Sequence, residues 1–213
     1  MKILISIVFV LLIFTPTKIN TMNLQFEYIK NRRETFIIKI LSNDIRNDIL
    51  NIIKNKTDNK WLLNLKDSII KSVDDKHILY MEEQRVNYNI PKEIYYRQIW
   101  KESTYNPVAE SYVGAFGYMQ VLPSTFIWVK DYLNLDIVDI NDPYDNIKCG
   151  TFLMRHLKDR IDKRYPDYNE YKKWKRTLSS YNAGYGVHNT ALRDYKETKD
   201  YVKFILDIYK QIS

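Results

Sequence analysis

Glu102 is the residue in this chain best placed to move a proton. It closes an apolar helical run opened by Pro91, and an irregular stretch from Ser103 to Gln120, carrying Gly114 and Gly117, follows at once. A carboxyl at the mouth of such a loop, with Trp100, Tyr105 and Met119 to keep water away, can hold its proton and serve as a proton donor. Taken alone, a helix-end glutamate is more often a solvated surface charge. Acid–base chemistry commonly recruits a second carboxyl, and Glu110, Asp142, Asp145 and Glu197 are the candidates in reach of the same segments. Of these, Asp142 stands before Pro143 and reads as a helix N-cap, and Glu197 reads as a helix-start residue.

Other chemistries find little footing. His77, His156 and His188 are far apart and match no metal-ligand spacing, so neither a metal nor another cofactor is expected. Cys149 is the single cysteine, which excludes an intrachain disulfide, and its apolar helical setting makes it a small core residue. The 33 basic and 26 acidic side chains give a formal charge of +7. They are scattered without a compact basic block, so no nucleic-acid partner is expected, while a mildly basic surface suits other polyanions.

The elements that must position these residues are helical. With 45% hydrophobic and 14% aromatic residues, and with Gly at 5 and Pro at 6, the composition favours a mostly α globular fold. Met1 and Lys2, the apolar run Ile3 to Phe14, and Thr15 to Thr17 have a signal-peptide layout, so residues 1–21 are read as signal peptide or N-terminal anchor and the chain as exported. The apolar run is short for a membrane-spanning helix, which needs about 20 residues. Residues 22–74 read as an accessory helical segment with runs at Ile37 to Leu41, Ile45 to Ile53 and Trp61 to Ile70, broken by turns at Ser42 to Asp44 and Asn55 to Asn59. Residues 75–213 form the expected catalytic domain. Its helices run through Ile78 to Val86, from Pro91 to Glu102, from Pro123, and from an Asp142 cap with the face Leu153, Leu157, Ile161. Two more carry Trp174, Leu178, Tyr181 and, after a Thr198 cap, Tyr201, Ile205, Ile208.

The string Glu102-Ser103-Thr104-Tyr105-Asn106-Pro107-Val108-Ala109, with Ser111, Gly114-Ala115-Phe116-Gly117-Tyr118-Met119-Gln120, Pro123 and Thr125, resembles the first signature of the lytic transglycosylase family related to goose-type lysozyme. Three further blocks follow in the family's order: Asp142-Pro143 with Asn146-Ile147, Gly150 and Leu153; Ser180-Tyr181-Asn182-Ala183-Gly184; and Glu197-Thr198 with Tyr201-Val202. The resemblance runs from about Asp75 to Leu206. Tyr118 stands where an aliphatic residue is common, Ser180 where alanine is usual, and Cys149 beside the second-block glycine.

The resemblance implies a lysozyme-like (α+β), mostly α catalytic domain with a short N-terminal helical extension. It also implies cleavage of the β-1,4 bond between MurNAc and GlcNAc in peptidoglycan glycan strands without water. Glu102 would protonate the glycosidic oxygen and then, as carboxylate, deprotonate the 6-hydroxyl of the same muramic acid, leaving a 1,6-anhydromuramic end. An attached nucleophile gains from proximity and needs no second carboxylate. Carried over by position, the glycan contacts fall on Ser103, Met119, Gln120, Tyr181 and Asn182. The Tyr181 hydroxyl resembles one that orients the catalytic carboxyl, though its spacing from Trp174 and Leu178 fits a core aromatic equally well. Gly114, Ala115, Gly117, Gly150 and Gly184 are expected to shape the groove. A monomer in the periplasm or cell envelope, in contact with the envelope or a secretion apparatus, is the accompanying expectation. Two rivals stay open: a lysozyme that uses water and needs Asp142 or Glu110 in the cleft, and a non-catalytic glycan-binding module.

Overall fold

The computed structural model describes residues 21–55, 58–132, 134–184 and 196–209. All of the expected signal-peptide or anchor segment but Thr21 lies outside these residues. The chain divides into two compact units, residues 1–40 and 41–213. In the first, the described residues are helical and begin α1 (Thr21–Ile53).

The second unit holds the rest of α1, then α2 (Lys60–Ser72), α3 (Asp75–Asn87), α4 (Lys92–Ser103), α5 (Pro123–Tyr132), α6 (Pro143–Arg164), α7 (Glu170–Ala183) and α8 (Lys196–Tyr209). The mostly α reading holds. Among the described residues the β features are isolated antiparallel bridges, Glu110 to Phe116 and Phe116 to Val121, in the loop after α4. No helix among the described residues is long and apolar enough to cross a membrane.

One expectation here needs correction. Ser42 to Asp44 do not form a turn, because α1 runs straight through them. Ser42 is fully buried and its Oγ donates to Asp75 Oδ1 at 2.7 Å while accepting from Arg46 Nη1 at 2.9 Å. Arg46 also donates from Nε to the Ile70 carbonyl at 3.1 Å and pairs with Asp75. The polar residues there serve a buried network between helices, which composition cannot distinguish from a turn. Part of the segment 22–74 packs with the helices that follow it. Ile49, Ile52, Ile53, Ile70 and Val73 belong to the same core cluster as Ile94, Tyr95, Ile99, Met154 and Ile205.

Helix α4 runs through that core, with Ile94, Tyr95, Tyr96 and Ile99 at most 1% exposed. Pro91 stands at its N-cap and Thr104, in the left-handed region at φ 51°, ends it. Arg97 is buried at 1% and joins three segments: Nε donates to the Phe204 carbonyl at 2.8 Å, Nη1 to the Ile52 carbonyl at 3.0 Å and Nη2 to Asn55 Oδ1 at 3.1 Å. Its guanidinium also lies over the Phe204 ring, 4.3 Å from the centroid. Arg97→Met keeps the stem but orphans these acceptors, and is expected to lower the unfolding free energy by about 2–3 kcal/mol in denaturant titrations.

Helix α6 starts where Asp142 and Pro143 indicate: Asp142 Oδ1 accepts from the Tyr144 and Asp145 amides, both at 2.9 Å. Cys149 is fully buried in it, and burial, followed by the charge of Asp145, pushes the thiol up to about 12, as suits an inert core residue. Thr198, by contrast, is not a cap. Helix α8 begins at Lys196, and the Thr198 hydroxyl instead donates to Asn182 Oδ1 at 2.7 Å, tying α8 to the end of α7.

Candidate active site

The loop after α4 is held by its own backbone and pinned from behind by α6. Phe116 and Val121 exchange N–H···O bonds at 3.0 Å, and the Gly117 amide donates to the Ala109 carbonyl at 2.9 Å. Asn146, 1% exposed on the first turns of α6, reaches into the loop with its whole amide. Its Oδ1 accepts from the Met119 amide at 3.0 Å, and its Nδ2 donates to the carbonyls of Phe116 at 2.8 Å and Ile140 at 3.4 Å.

The contact leaves no room for side chains where glycines stand. Gly117 has φ +75°, and a Cβ there would lie 2.5 Å from Asn146 Cγ. One at Gly150 would lie 2.3 Å from Met119 Cβ and 2.9 Å from the Tyr181 hydroxyl. Gly150 is therefore a close-approach position between α6 and the loop, at ordinary helical backbone angles.

Glu102 occupies the last turn of α4, half-buried, and its Oε1 accepts a hydrogen bond from the Tyr201 hydroxyl of α8. Burial drives its carboxyl up to about 7. The Tyr201 hydrogen bond and Lys101 oppose that rise, while Glu197 adds to it. The group thus keeps its proton through the acid range and can release it near neutrality, the behaviour a proton-donating carboxyl needs. Tyr201→Phe removes a bond to the charged form, so it is expected to raise the Glu102 pKa further and lower turnover about tenfold, within the range usual for removing one hydrogen bond to a charged group. A pH–rate profile with its basic limb moved to higher pH checks this.

The other expected site residues are placed differently from one another. Tyr181 does not hold the carboxyl. Its hydroxyl donates to the Met119 carbonyl at 2.8 Å, and α8 supplies the orienting tyrosine instead. Burial first and then the Glu102 charge raise the Tyr181 hydroxyl well above its ordinary range, so it still lies within the field of that carboxylate. Met119 is 0% exposed, its amide donating to Asn146 Oδ1 and its carbonyl accepting from the Tyr181 hydroxyl, so its backbone ties the loop to α6 and α7. Ser103, 7% exposed, donates to the Tyr118 carbonyl at 2.9 Å and so fastens the helix end to the loop.

Gln120, at φ 47°, braces the same loop by donating from Nε2 to the Ala109 and Gly117 carbonyls at 3.0 and 3.1 Å. Asn182 is half-buried at the end of α7 and accepts from Thr198. Gly184 caps α7 at φ +88°, Gly114 turns the loop tip at φ +77°, and Ala115 is 7% exposed beside it.

Tyr201 and Asn146 are the residues that residue-by-residue reading passed over. Both lie inside the fourth and second blocks. Tyr201 had been placed on an apolar helix face, which it also occupies at 2% exposure. The candidate second carboxylates have other employment. Asp142 caps α6, and Asp145 Oδ2 accepts from the Val138 and Asp139 amides at 2.6 and 2.9 Å. Glu110 and Glu197 are exposed. Among the described residues no cluster of His, Cys, Asp and Glu is arranged to hold a metal.

The helical scaffold carries Glu102, its carboxyl raised by burial to about 7, at the end of a buried helix and opposite a loop locked by a second helix, an arrangement that can support acid–base chemistry. The chain belongs to the family of the Transglycosylase SLT domain, whose model matches residues 79–204. It is similar to the membrane-bound lytic murein transglycosylase C of Haemophilus ducreyi, with 28% identity over an alignment of 125 residues, covering 53% of this chain and 31% of that protein. In fold it is similar to the 70 kDa soluble lytic transglycosylase of Escherichia coli, at a TM-score of 0.54 and 22% identity over 68% of this chain and 25% of that one. The chain therefore spans less than a third of the length of either relative.

Proposed function

We propose that this chain is a peptidoglycan lytic transglycosylase that cuts the β-1,4 bond between MurNAc and GlcNAc and leaves a 1,6-anhydromuramic end. The observation that carries the reading is Glu102: a single desolvated carboxyl, raised to about 7 and held by Tyr201, in the position the family motif gives its acid. As the acid it gives its proton to the glycosidic oxygen as the C1–O bond breaks. As the resulting carboxylate it takes the proton of the muramic 6-hydroxyl, whose oxygen closes onto C1. No water is consumed, and Glu102 ends the cycle protonated, as it began.

The employment of Asp142 and Asp145 as backbone acceptors favours this one-carboxylate route over hydrolysis, which needs a second carboxylate acting on water or on the sugar. With Ser103 and Met119 buried, sugar contacts would fall mainly on the loop backbone, on the partly exposed Gln120, on Asn182 and on the exposed edge of Tyr181. Peptidoglycan strands are the proposed substrate and the cell envelope the proposed location, in keeping with the relative named as membrane-bound.

The test is mass spectrometry of muropeptides released from purified peptidoglycan. Products about 18 Da lighter than those of a hydrolytic muramidase, one water per cut, support the proposal. Reducing ends would make the enzyme a lysozyme, and no release would point to a binding module.

A further inference from the structure

Gln98 is the anomaly of helix α4. It is 0% exposed, and both atoms of its amide, Oε1 and Nε2, lack any hydrogen-bond partner. A buried primary amide left so is costly, and native cores carry few such groups without a reason. The neighbouring buried polar groups of the helix are all employed: Arg97 makes three hydrogen bonds, Ser103 bonds the loop, and the Tyr95 hydroxyl meets Thr151 Oγ1 at 2.8 Å. Gln98 alone is not, and it lies four residues before Glu102.

In an α-helix residues i and i+4 sit on one face, with Cβ atoms about 5–6 Å apart. Side chains lean toward the N-terminus, so the Glu102 side chain leans back over the turn that carries Gln98. Both groups are long enough to meet after a change of rotamer, and no competing hydrogen bond holds the amide away. Among the described residues none bonds Glu102 Oε2, while Tyr201 takes Oε1.

The chemistry of the proposed cycle gives an unattached amide a use. A protonated carboxyl offers a donor; a carboxylate offers acceptors only. Tyr201 suits the second state as a donor. A primary amide suits both, since its carbonyl accepts from the acid and its N–H groups donate to the carboxylate.

We propose that Gln98 is a positioning residue for Glu102, its amide turning over between the two halves of the cycle to accept from the acid and donate to the carboxylate. This deepens the reading of Glu102 as acid and base and rests on it. The charged and titratable groups that face Glu102 are Lys101 on the same helix, Tyr201 and Glu197 on α8, and Tyr181 on α7. None of them can exchange donor for acceptor at neutral pH except through a hydroxyl already committed, Tyr201 to the carboxyl and Tyr181 to Met119.

The experiment is a titration of the Glu102 side-chain carboxyl by carbon-13 NMR in the full chain, comparing wild type with Gln98→Met. Methionine keeps the length and apolar volume and removes both polar atoms, and Gln98→Leu serves as a second variant should the first fold poorly. The charge-assisted bond to the carboxylate is roughly twice as strong as the neutral one to the acid, so losing both is expected to raise the Glu102 pKa by about one unit, tenfold in its ionisation constant, and to carry the basic limb of kcat with it while KM stays put. Melting temperature should hold or rise, since an orphaned amide has been removed. An unmoved pKa with only a changed melting temperature would mean that the amide merely holds a buried water, and overturns the proposal. The titration needs no substrate, so it stands apart from the transglycosylase reading, which fails separately if wild type releases nothing from peptidoglycan.

Discussion

Glu102→Gln is expected to lower muropeptide release by about 10³–10⁴-fold, the span usual for a positioned general acid and base, with little change in glycan binding. The amide is nearly isosteric and keeps an oxygen for the Tyr201 hydroxyl, but it cannot give a proton to the leaving oxygen or take one from the 6-hydroxyl. The same variant carries an opposite prediction for stability. Burial raises the folded-state pKa of Glu102 from 4.5 to about 7, so the folded protein binds this proton more tightly than the unfolded chain does. That contribution is fully present below about pH 4.5, fades as pH rises toward 7, and is absent above it. A glutamine has nothing to lose over that interval. Melting curves of the two proteins should therefore separate in favour of Glu102→Gln at pH 8 and draw together by pH 4, all other carboxyls being common to both. A variant that is inactive yet more stable at alkaline pH locates the cost of catalysis at this carboxyl.

How much of this was legible in advance varies with the kind of interaction involved. Helix starts that depend on one local bond were readable: Asp142 and Pro143 open α6 because the cap lies two and three residues from the amides it serves. The family motif around Glu102 was readable because it is contiguous. What escaped were polar groups whose partners lie far along the chain. Ser42 looked like turn punctuation, and its partner Asp75 is 33 residues away. Tyr201 looked like one more aromatic on an apolar stripe, and its partner Glu102 lies 99 residues before it. Tyr181 and Tyr201 offer the same phenol on neighbouring helices. Only the packing of α8 against α4, and of α7 against α6, decides which hydroxyl meets the carboxyl and which meets the Met119 carbonyl.

Met119, Ser103 and Gln120 add a role that the motif alone did not announce. Their polar atoms make hydrogen bonds that hold the loop together. A motif residue can be indispensable for the shape of a site without ever touching what binds there.

Asn146 brings that distinction to an experiment. Replacing it by Leu, of similar volume, leaves the buried Met119 amide and the part-buried Phe116 carbonyl without their partner, and removes the longer bond to Ile140. Two or three orphaned backbone groups at about 1–3 kcal/mol each, partly relieved by relaxation, should cost the fold about 3–5 kcal/mol in denaturant unfolding. Gly117 cannot absorb the change, since its Cα already faces the amide of Asn146 at a distance that excludes even a methyl group. Asn146→Asp discriminates the roles of the two ends of the side chain. It keeps an acceptor for the Met119 amide but sets a carboxylate against the Phe116 carbonyl, so it should recover stability as pH falls and the acid can donate. Activity in both variants should fall together with loop order and leave the pKa of Glu102 in the remaining folded protein near 7, because Asn146 holds the wall of the site and not its acid. A variant that kept full stability while losing activity would instead make Asn146 a direct participant in binding.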